Sequence, residues 1–487
     1  MPTSTMASGA RDLQKLGGHN TLGEMQGPGA RSSVILALVL GLVMLGASSV
    51  AMAQPGPTTG TQPKLTPEVE KLISEKPIIN LVTMGVGGLI WERHGHIALC
   101  VSYDNPKDDI CFNYGIGDFH HPVKMGWGFF RADDSFWVGK QYPREMLAIY
   151  RNADRTIWVQ PLPLTKEQKE KVLAKLEFDV LEENKHYSYD HLWDNCTTRV
   201  RDIIDNATDH ALKTMPNKAD GRTYRELARE GFFGLPSSWL PLVITDIAMG
   251  RVSDGVPSYW ERMFLPDYMR EAVQDKWGIA PMVLYQRQGP FAVKEIEKTL
   301  ADGGLSPENK AELQNRLDEL HSEPSGRLRF ALFALLLTAS AWITRLVGRF
   351  QRTGLAVAVI PAALLGLIFW GLAIISPLPY VRWNETCLCL MPFDLLLLFL
   401  GGERKKKYAR YRVIMLALVA ALLLINVLKA PIWPVWLWAL VPNAVVAFMP
   451  MSMRKKDEVA KAPASDKADA KVNEKKSDKS SSKKKTA

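Results

Sequence analysis

The chain has 487 residues, 47% of them hydrophobic and 23% charged, with a formal net charge of +9. These averages conceal a partition. From about Phe330 to Met449 the chain is almost continuously apolar, which excludes both a purely soluble protein and a fully disordered one. The charge is as uneven, because residues 452–487 hold 12 Lys+Arg against 6 Asp+Glu and leave only +3 for everything before them. The basic balance therefore gives no warrant for a nucleic-acid groove, and no nucleic-acid partner is expected.

In chain order, residues 1–32 are polar and Gly/Ser-rich, and Ser33–Ala53 is an apolar run ending on the small-x-small pattern Ala51-Met52-Ala53. Residues 1–53 read as a signal peptide or N-terminal anchor, so that the chain from Gln54 starts outside the cytoplasm.

Residues 54–325 read as a mixed α+β domain. Strand patterns run over Pro77–Met84, His96–Tyr103 and Asp109–Tyr114, and strand character returns across Met146–Leu162. Thr165–Asn184 reads as a helix opened by Thr165 and Gln168 in capping-box positions. Further helices start at Asp194 and cover Thr223–Glu230 and Ser306–Ser322. Of the five cysteines, Cys100 and Cys111 flank the turn-rich DNPKDD and can face each other across a hairpin. Cys196 is then left as a thiol to explain in an exported domain.

Five apolar segments follow, at about Phe330–Thr344, Leu355–Ile375, Thr386–Leu400, Val413–Leu428 and Ile432–Met449. The gaps after the first and third are rich in Arg and Lys, whereas those after the second and fourth hold only Arg382 and Lys429. The positive-inside rule then places a membrane domain over residues 326–451 and a disordered Lys-rich cytoplasmic tail over 452–487.

The sharpest local feature is YSYDHLWDNCTTRVRDIID, Tyr187–Asp205. Asp194 or Asn195 caps a helix there, and Cys196 falls in its first turn, where the helix dipole favours a thiolate. WERHGHIALCV offers His94 and His96 at the mouth of a strand, and strand alternation puts both on the face of Ala98. His96 is the candidate base. Asn113, on the next strand, can orient the imidazole, with Asp118 and His120 as competitors for that third role. The histidines and cysteines show neither H-E-x-x-H nor C-x-x-C spacing, and no phosphate-binding glycine loop joins strand to helix. No metal and no cofactor is therefore expected.

WERHGHIAL, ICFNYGIGDF, YSYDHLWDNCTTRVRD, TYRELARE and DIAMGRVSDGVPSYWERMFLPDYM resemble, in order, the extracytoplasmic domain of the Lnb-type lipoprotein N-acyltransferase family. The resemblance covers about Ile78–Asp275 and extends weakly through SPLPYVRWNETCLCLMPFDLL. There Ser376 stands for a family His, and of a later Asn pair only Asn384 is evident. His94 replaces an aromatic residue. The resemblance implies an α+β, permuted papain-like thiol-enzyme domain, similar to the lecithin:retinol acyltransferase group. An α-helical membrane domain of about five spans would follow it.

It further implies Cys196 as nucleophile, His96 as base and Asn113 as orienting residue. Tyr187, Tyr189, Asp194, Asn195, Thr198, Arg199 and Asn384 become substrate-binding or support residues. The implied reaction moves an acyl chain from a phospholipid donor, through a Cys196 thioester, to the α-amine of a lipoprotein acceptor at the bacterial inner membrane, with the catalytic domain periplasmic. A cysteine peptidase or amidase on cell-wall peptide, or a non-enzymatic membrane protein, are the other classes. In that last class Asp394 and Glu385 would mark a polar pathway.

Overall fold

The computed structural model describes residues 65–450 apart from 219, 233–238, 289–292, 303 and 323–325. The expected signal at 1–53 and the tail at 452–487 lie outside the described residues.

The polar domain is built on one antiparallel sheet. Helix α1 (Pro67–Ser74) leads into β1 (Ile78–Met84), β2 (His96–Ser102) and β3 (Ile110–Ile116). Then come α2 (Pro122–Arg131), β4 (Phe136–Gln141), α3 (Pro143–Asn152), β5 (Ile157–Pro161), α4 (Lys166–Asp179), β6 (His186–Tyr187) and α5 (Cys196–Ala207). Helices α6 (Tyr224–Glu230), α7 (Trp239–Ala248) and α8 (Pro266–Trp277) precede β7 (Met282–Tyr285). The seven strands lie in the order β6-β4-β3-β2-β1-β5-β7, every neighbouring pair antiparallel.

Strand alternation divides the apolar residues between two faces. Ile79, Leu81, Ile97, Leu99 and Phe112 pack with Val172 and Leu176 of α4, Val200 and Ile203 of α5, and Met269 and Val273 of α8. Val82, Met84, Ala98, Cys100 and Cys111 face the other way, onto Met146, Leu147 and Tyr150 of α3. Cys100 opposes Cys111 in the β2–β3 register and is bonded to it, with Cα atoms 4.0 Å apart. The expected hairpin pairing is present.

Two local expectations need correction. Met146–Leu162 is not strand throughout: its first part belongs to α3, which Pro143 starts at a position where the missing N–H costs nothing. The helix expected to reach Asn184 ends at Asp179, with Val180 as its C-cap.

After α9 (Val293–Asp302) and α10 (Pro307–Ser322) come the apolar helices. Helices α11 (Gly326–Val347) and α12 (Gln351–Ile375) are the two described helices long and apolar enough to cross a membrane. Helix α13 (Gly402–Leu424) begins inside the Lys/Arg run, and α14 (Trp433–Phe448), at 16 residues, is shorter than the roughly 20 needed to span a bilayer unaided. The expected segment Thr386–Leu400 is not one helix. It breaks into Thr386–Cys389, a 3-10 turn Pro392–Leu395 and Leu396–Phe399. Pro392 cannot continue the helical ladder, and the buried Asp394 is drawn to Arg412 of α13 at 2.8 Å and to the Tyr408 hydroxyl. Asp394 is thus an ion-pair partner rather than a lining group.

Candidate active site

Asn195 decides where Cys196 stands. It is 2% exposed and is the N-cap of α5. Its Oδ1 accepts from the N–H of Thr197 and of Thr198 at 2.8 and 3.0 Å. Its Nδ2 donates to the carbonyls of His191 and Phe264 at 2.6 and 3.0 Å. The Thr198 hydroxyl completes the box by accepting from the Asn195 N–H at 2.8 Å. Asp194 holds Arg199 bidentately at 2.6 and 2.8 Å, and that guanidinium lies 3.7 Å from the centre of the Tyr187 ring. Tyr187 and Tyr189 close the far side. Gly115, at a φ of +79°, suits the turn of β3 beside the site, where a Cβ would stand in ordinary contact with Cys196 Cβ, Tyr189 and the Tyr187 hydroxyl at 3.4, 3.5 and 3.7 Å. The Tyr187 hydroxyl is buried and finds no hydrogen-bond partner among the described residues. Of the six residues read as supports from sequence, Asn195 and Thr198 fix the helix start that carries Cys196, Tyr187 and Tyr189 lie beside it around Gly115, and Asp194 and Arg199 pair with each other next to Tyr187.

The thiol itself is free and buried. The Thr197 hydroxyl lies 3.8 Å from its sulfur, and the backbone N–H groups of Ile97 and Cys196 are near it. These contacts favour a thiolate, yet burial outweighs them and pushes the thiol up from its ordinary value. This corrects the sequence expectation, which counted the helix dipole and not desolvation.

His96 and Asn113 are brought together as expected, with Nε2 3.3 Å from Asn113 Oδ1. Asn113 Nδ2 in turn donates to Gln141 Oε1 at 3.4 Å, so its carbonyl oxygen is the end that faces the ring. His96 Nε2 is then the protonated nitrogen and Nδ1 carries the lone pair. Burial, and next the Arg155 guanidinium, hold His96 down at about 4, so the ring is neutral near pH 7.

The direct pairing of His96 with Cys196 is not present. Among the described residues no hydrogen bond joins them. The reason is strand alternation: α5 packs on the Ile97 face, whereas His96 opposes Met84 and shares the face of Ala98 and α3. Tyr150 links the two environments. Its ring stacks on His96 at 5.8 Å, and it lies within electrostatic range of Cys196.

His94 does not share the His96 face. Gly95, at a φ of +77°, turns the chain between them, and His94 packs on His191 with ring centroids 4.7 Å apart. Asp118 pairs with exposed His121 at 2.8 Å and has no part in the site. His120 is likewise exposed. Among the described residues, no three or more His, Cys, Asp or Glu side chains are grouped to hold a metal ion. Residues missed from sequence are Tyr150, Gln141 and Arg155. Their elements follow Asn113 in the chain, and only the sheet order brings them back beside it.

Asn384 lies apart from Cys196. Its Nδ2 donates to the carbonyls of Ile247 and Ala248 at 2.8 and 3.0 Å and its Oδ1 accepts from Thr386 N–H at 2.9 Å, so it caps the end of α7. Its donors are spent on backbone rather than offered to a ligand. The loop carrying it sits on the polar domain as expected: Gly250 N–H donates to Tyr380 O at 2.6 Å, and Tyr380 packs on Trp193.

No curated protein and no solved structure matches the chain. Residues 71–230 match the family model described as the Lnb N-terminal periplasmic domain. The match takes in His96, Asn113 and Cys196 with all its supports, and stops short of Asn384. The stretch that builds this site is therefore similar to the Lnb N-terminal periplasmic domain family.

Proposed function

We propose that the protein is a membrane-bound lipoprotein N-acyltransferase with Cys196 as its nucleophile. The observation that carries this reading is one free, buried thiol at the first position of a rigidly capped helix, with the Thr197 hydroxyl 3.8 Å from its sulfur, inside the matched domain. Helices α11 and α12 cross the inner membrane, and α13, α14 and the broken segment between them complete a membrane part below a periplasmic, permuted papain-like domain.

In the resting site the pair is thiol and neutral imidazole. A bound phospholipid ester brings Sγ to its acyl carbonyl, and, because no hydrogen bond joins the two residues in the resting site, the thiol proton reaches His96 Nδ1 through one water as the C–S bond forms. The Cys196 N–H and the Tyr187 hydroxyl supply oxyanion donors, because Asn195 already occupies the Thr197 and Thr198 N–H groups. The C–O bond breaks, and His96 returns the proton to the leaving lysophospholipid oxygen. The α-amine of a diacylglyceryl-cysteine lipoprotein then attacks the thioester. Amide forms, thiol is released, and the amine's proton passes through His96 to the sulfur. Asn113 holds the ring throughout.

The test is incubation of the full chain with defined phospholipids, followed by mass analysis of the Cys196 peptide and assay of N-acylation on a diacylglyceryl peptide. An acyl adduct, lost in Cys196→Ala, is expected. His96→Ala should lower turnover by about 10²–10⁴-fold and Asn113→Ala by less. Full acyl transfer by a folded Cys196→Ala protein ends this reading. Absence of any adduct, together with cleavage of a cell-wall peptide, replaces it with a cysteine hydrolase.

A further inference from the structure

The polar domain carries an exposed apolar patch that none of the chemistry above uses. The turn Ile90–Glu92, just before His94, exposes Leu89, Ile90 and Trp91. Helix α2, which follows β3 directly, exposes Val123 and Trp127. Two of these side chains are open to an unusual degree, Val123 at 86% and Ile90 at 59%. Trp91 stacks on Phe119 at 5.5 Å, so turn and helix start form one patch rather than two. Exposed apolar side chains gathered in one place mark a surface with a partner.

What covers the patch follows from where α2 lies. Its Phe129 and Phe130 share an apolar cluster with Leu372, near the end of the apolar helix α12, and with Leu378 and Tyr380 just beyond it. On the Cys196 side, Phe129 meets Tyr189 at 6.2 Å. Helix α2 thus bridges the thiol's surroundings and the end of α12, whose own exposed surface there is Ile368, Ile374 and Ile375. Lys124 and Arg131, both exposed, put cations at the patch, where anionic headgroups would lie.

We infer that Leu89–Trp91 and the Val123/Trp127 face of α2 dip into the outer leaflet of the membrane in which α12 stands, and that this lip lets phospholipid acyl chains pass from the bilayer to Cys196 without crossing water. The inference rests on the membrane placement and donor class proposed above. Apolar side chains at the interface, with Trp among them, are the groups that such a boundary favours.

The experiment uses the full chain in vesicles of phosphatidylethanolamine and phosphatidylglycerol. A polarity-sensitive label on Val123→Cys is compared with the same label on Tyr142→Cys. Tyr142 is also exposed but follows the far end of β4. Brominated lipids should quench the Val123 label and aqueous iodide the Tyr142 label. Equal iodide quenching at both sites overturns the inference. In parallel, Ile90→Asp/Val123→Asp should cut Cys196 adduct formation from vesicle phospholipid by roughly 10-fold or more, the loss expected when two apolar side chains seated in the leaflet become charged. Adduct formation from a soluble short-chain ester should be unchanged. An equal fall with both donors shows that the patch serves folding, and also overturns it. If the parent protein forms no adduct from either donor, the proposed chemistry fails, and the quenching result alone judges the lip.

Discussion

Replacing Asn195 by Ala tests the argument that one side chain both caps α5 and ties it to the neighbouring chain. The substitution removes an N-cap, worth about 1–2 kcal/mol. It also strips two buried carbonyls, those of His191 and Phe264, of their donor, at about 1–3 kcal/mol each before relaxation. Allowing for relaxation, we expect a loss of about 3–5 kcal/mol. A domain of this size loses about 2–4 °C per kcal/mol, so Tm should fall by roughly 6–20 °C. Asn195→Asp separates the two roles. It keeps the acceptor for Thr197 and Thr198 and suits the helix dipole, but it presents a carboxylate to the two carbonyls. It should recover only part of the loss. The assay is thermal unfolding of the detergent-solubilised full chain, together with the rate at which a maleimide reaches Cys196. Alkylation should be markedly faster in the Ala variant. A Tm within about 2 °C of the parent, or full recovery with Asp, would refute the reasoning.

Lowering the pH should destabilise the domain. Burial holds His96 and His191 at about 4, and His94 is also held well below its ordinary 6.5. The unfolded chain therefore binds protons that the native chain does not. Stability is full above about pH 6.5 and declines as pH falls from there toward about 4. A Tm that stays constant or rises between pH 7 and pH 5 contradicts this. Cys100→Ser/Cys111→Ser should cost about 2–3 kcal/mol, as expected for a crosslink closing a short loop, yet leave Cys196 alkylation unchanged; altered Cys196 reactivity would mean that the disulfide also shapes the site. Asn384→Ala should weaken the seating of the 380–386 loop on α7 by about 1–3 kcal/mol, because the Ala248 carbonyl loses its side-chain donor and that of Ile247 keeps only the Thr386 hydroxyl. Limited proteolysis within that loop is the readout, and unchanged cleavage would show that the capping bonds carry no weight.

Local signals were legible without a structure. Asn195 before Cys196, with Thr198 three residues on and an apolar stripe behind, specifies a capped helix with the thiol in its first turn. The turn-rich DNPKDD between two strand patterns specifies the hairpin that joins Cys100 to Cys111. The Thr165/Gln168 capping box opens a helix as read. Each of these depends on residues within a few positions of one another, so propensity and spacing suffice. The strand to which Asn113 belongs was also legible, and with it the meeting of Asn113 and His96.

What only the tertiary structure decided depends on which face packs against what. Alternation shows that His96 and Ile97 point in opposite directions, but not which of the two α5 will cover, and α5 covers Ile97. The same packing buries the thiol, so desolvation overrides the helix dipole that sequence position advertises. Gly95 breaks the alternation that would have aligned His94 with His96. In the apolar half, hydropathy reads Thr386–Leu400 as one segment, yet Pro392 and the pull of Arg412 on Asp394 break it. Asn384 is likewise claimed by carbonyls of a helix far back in the chain. Burial, face and long-range ion pairing are properties of the assembled fold, set by elements distant in sequence, and no local window contains them.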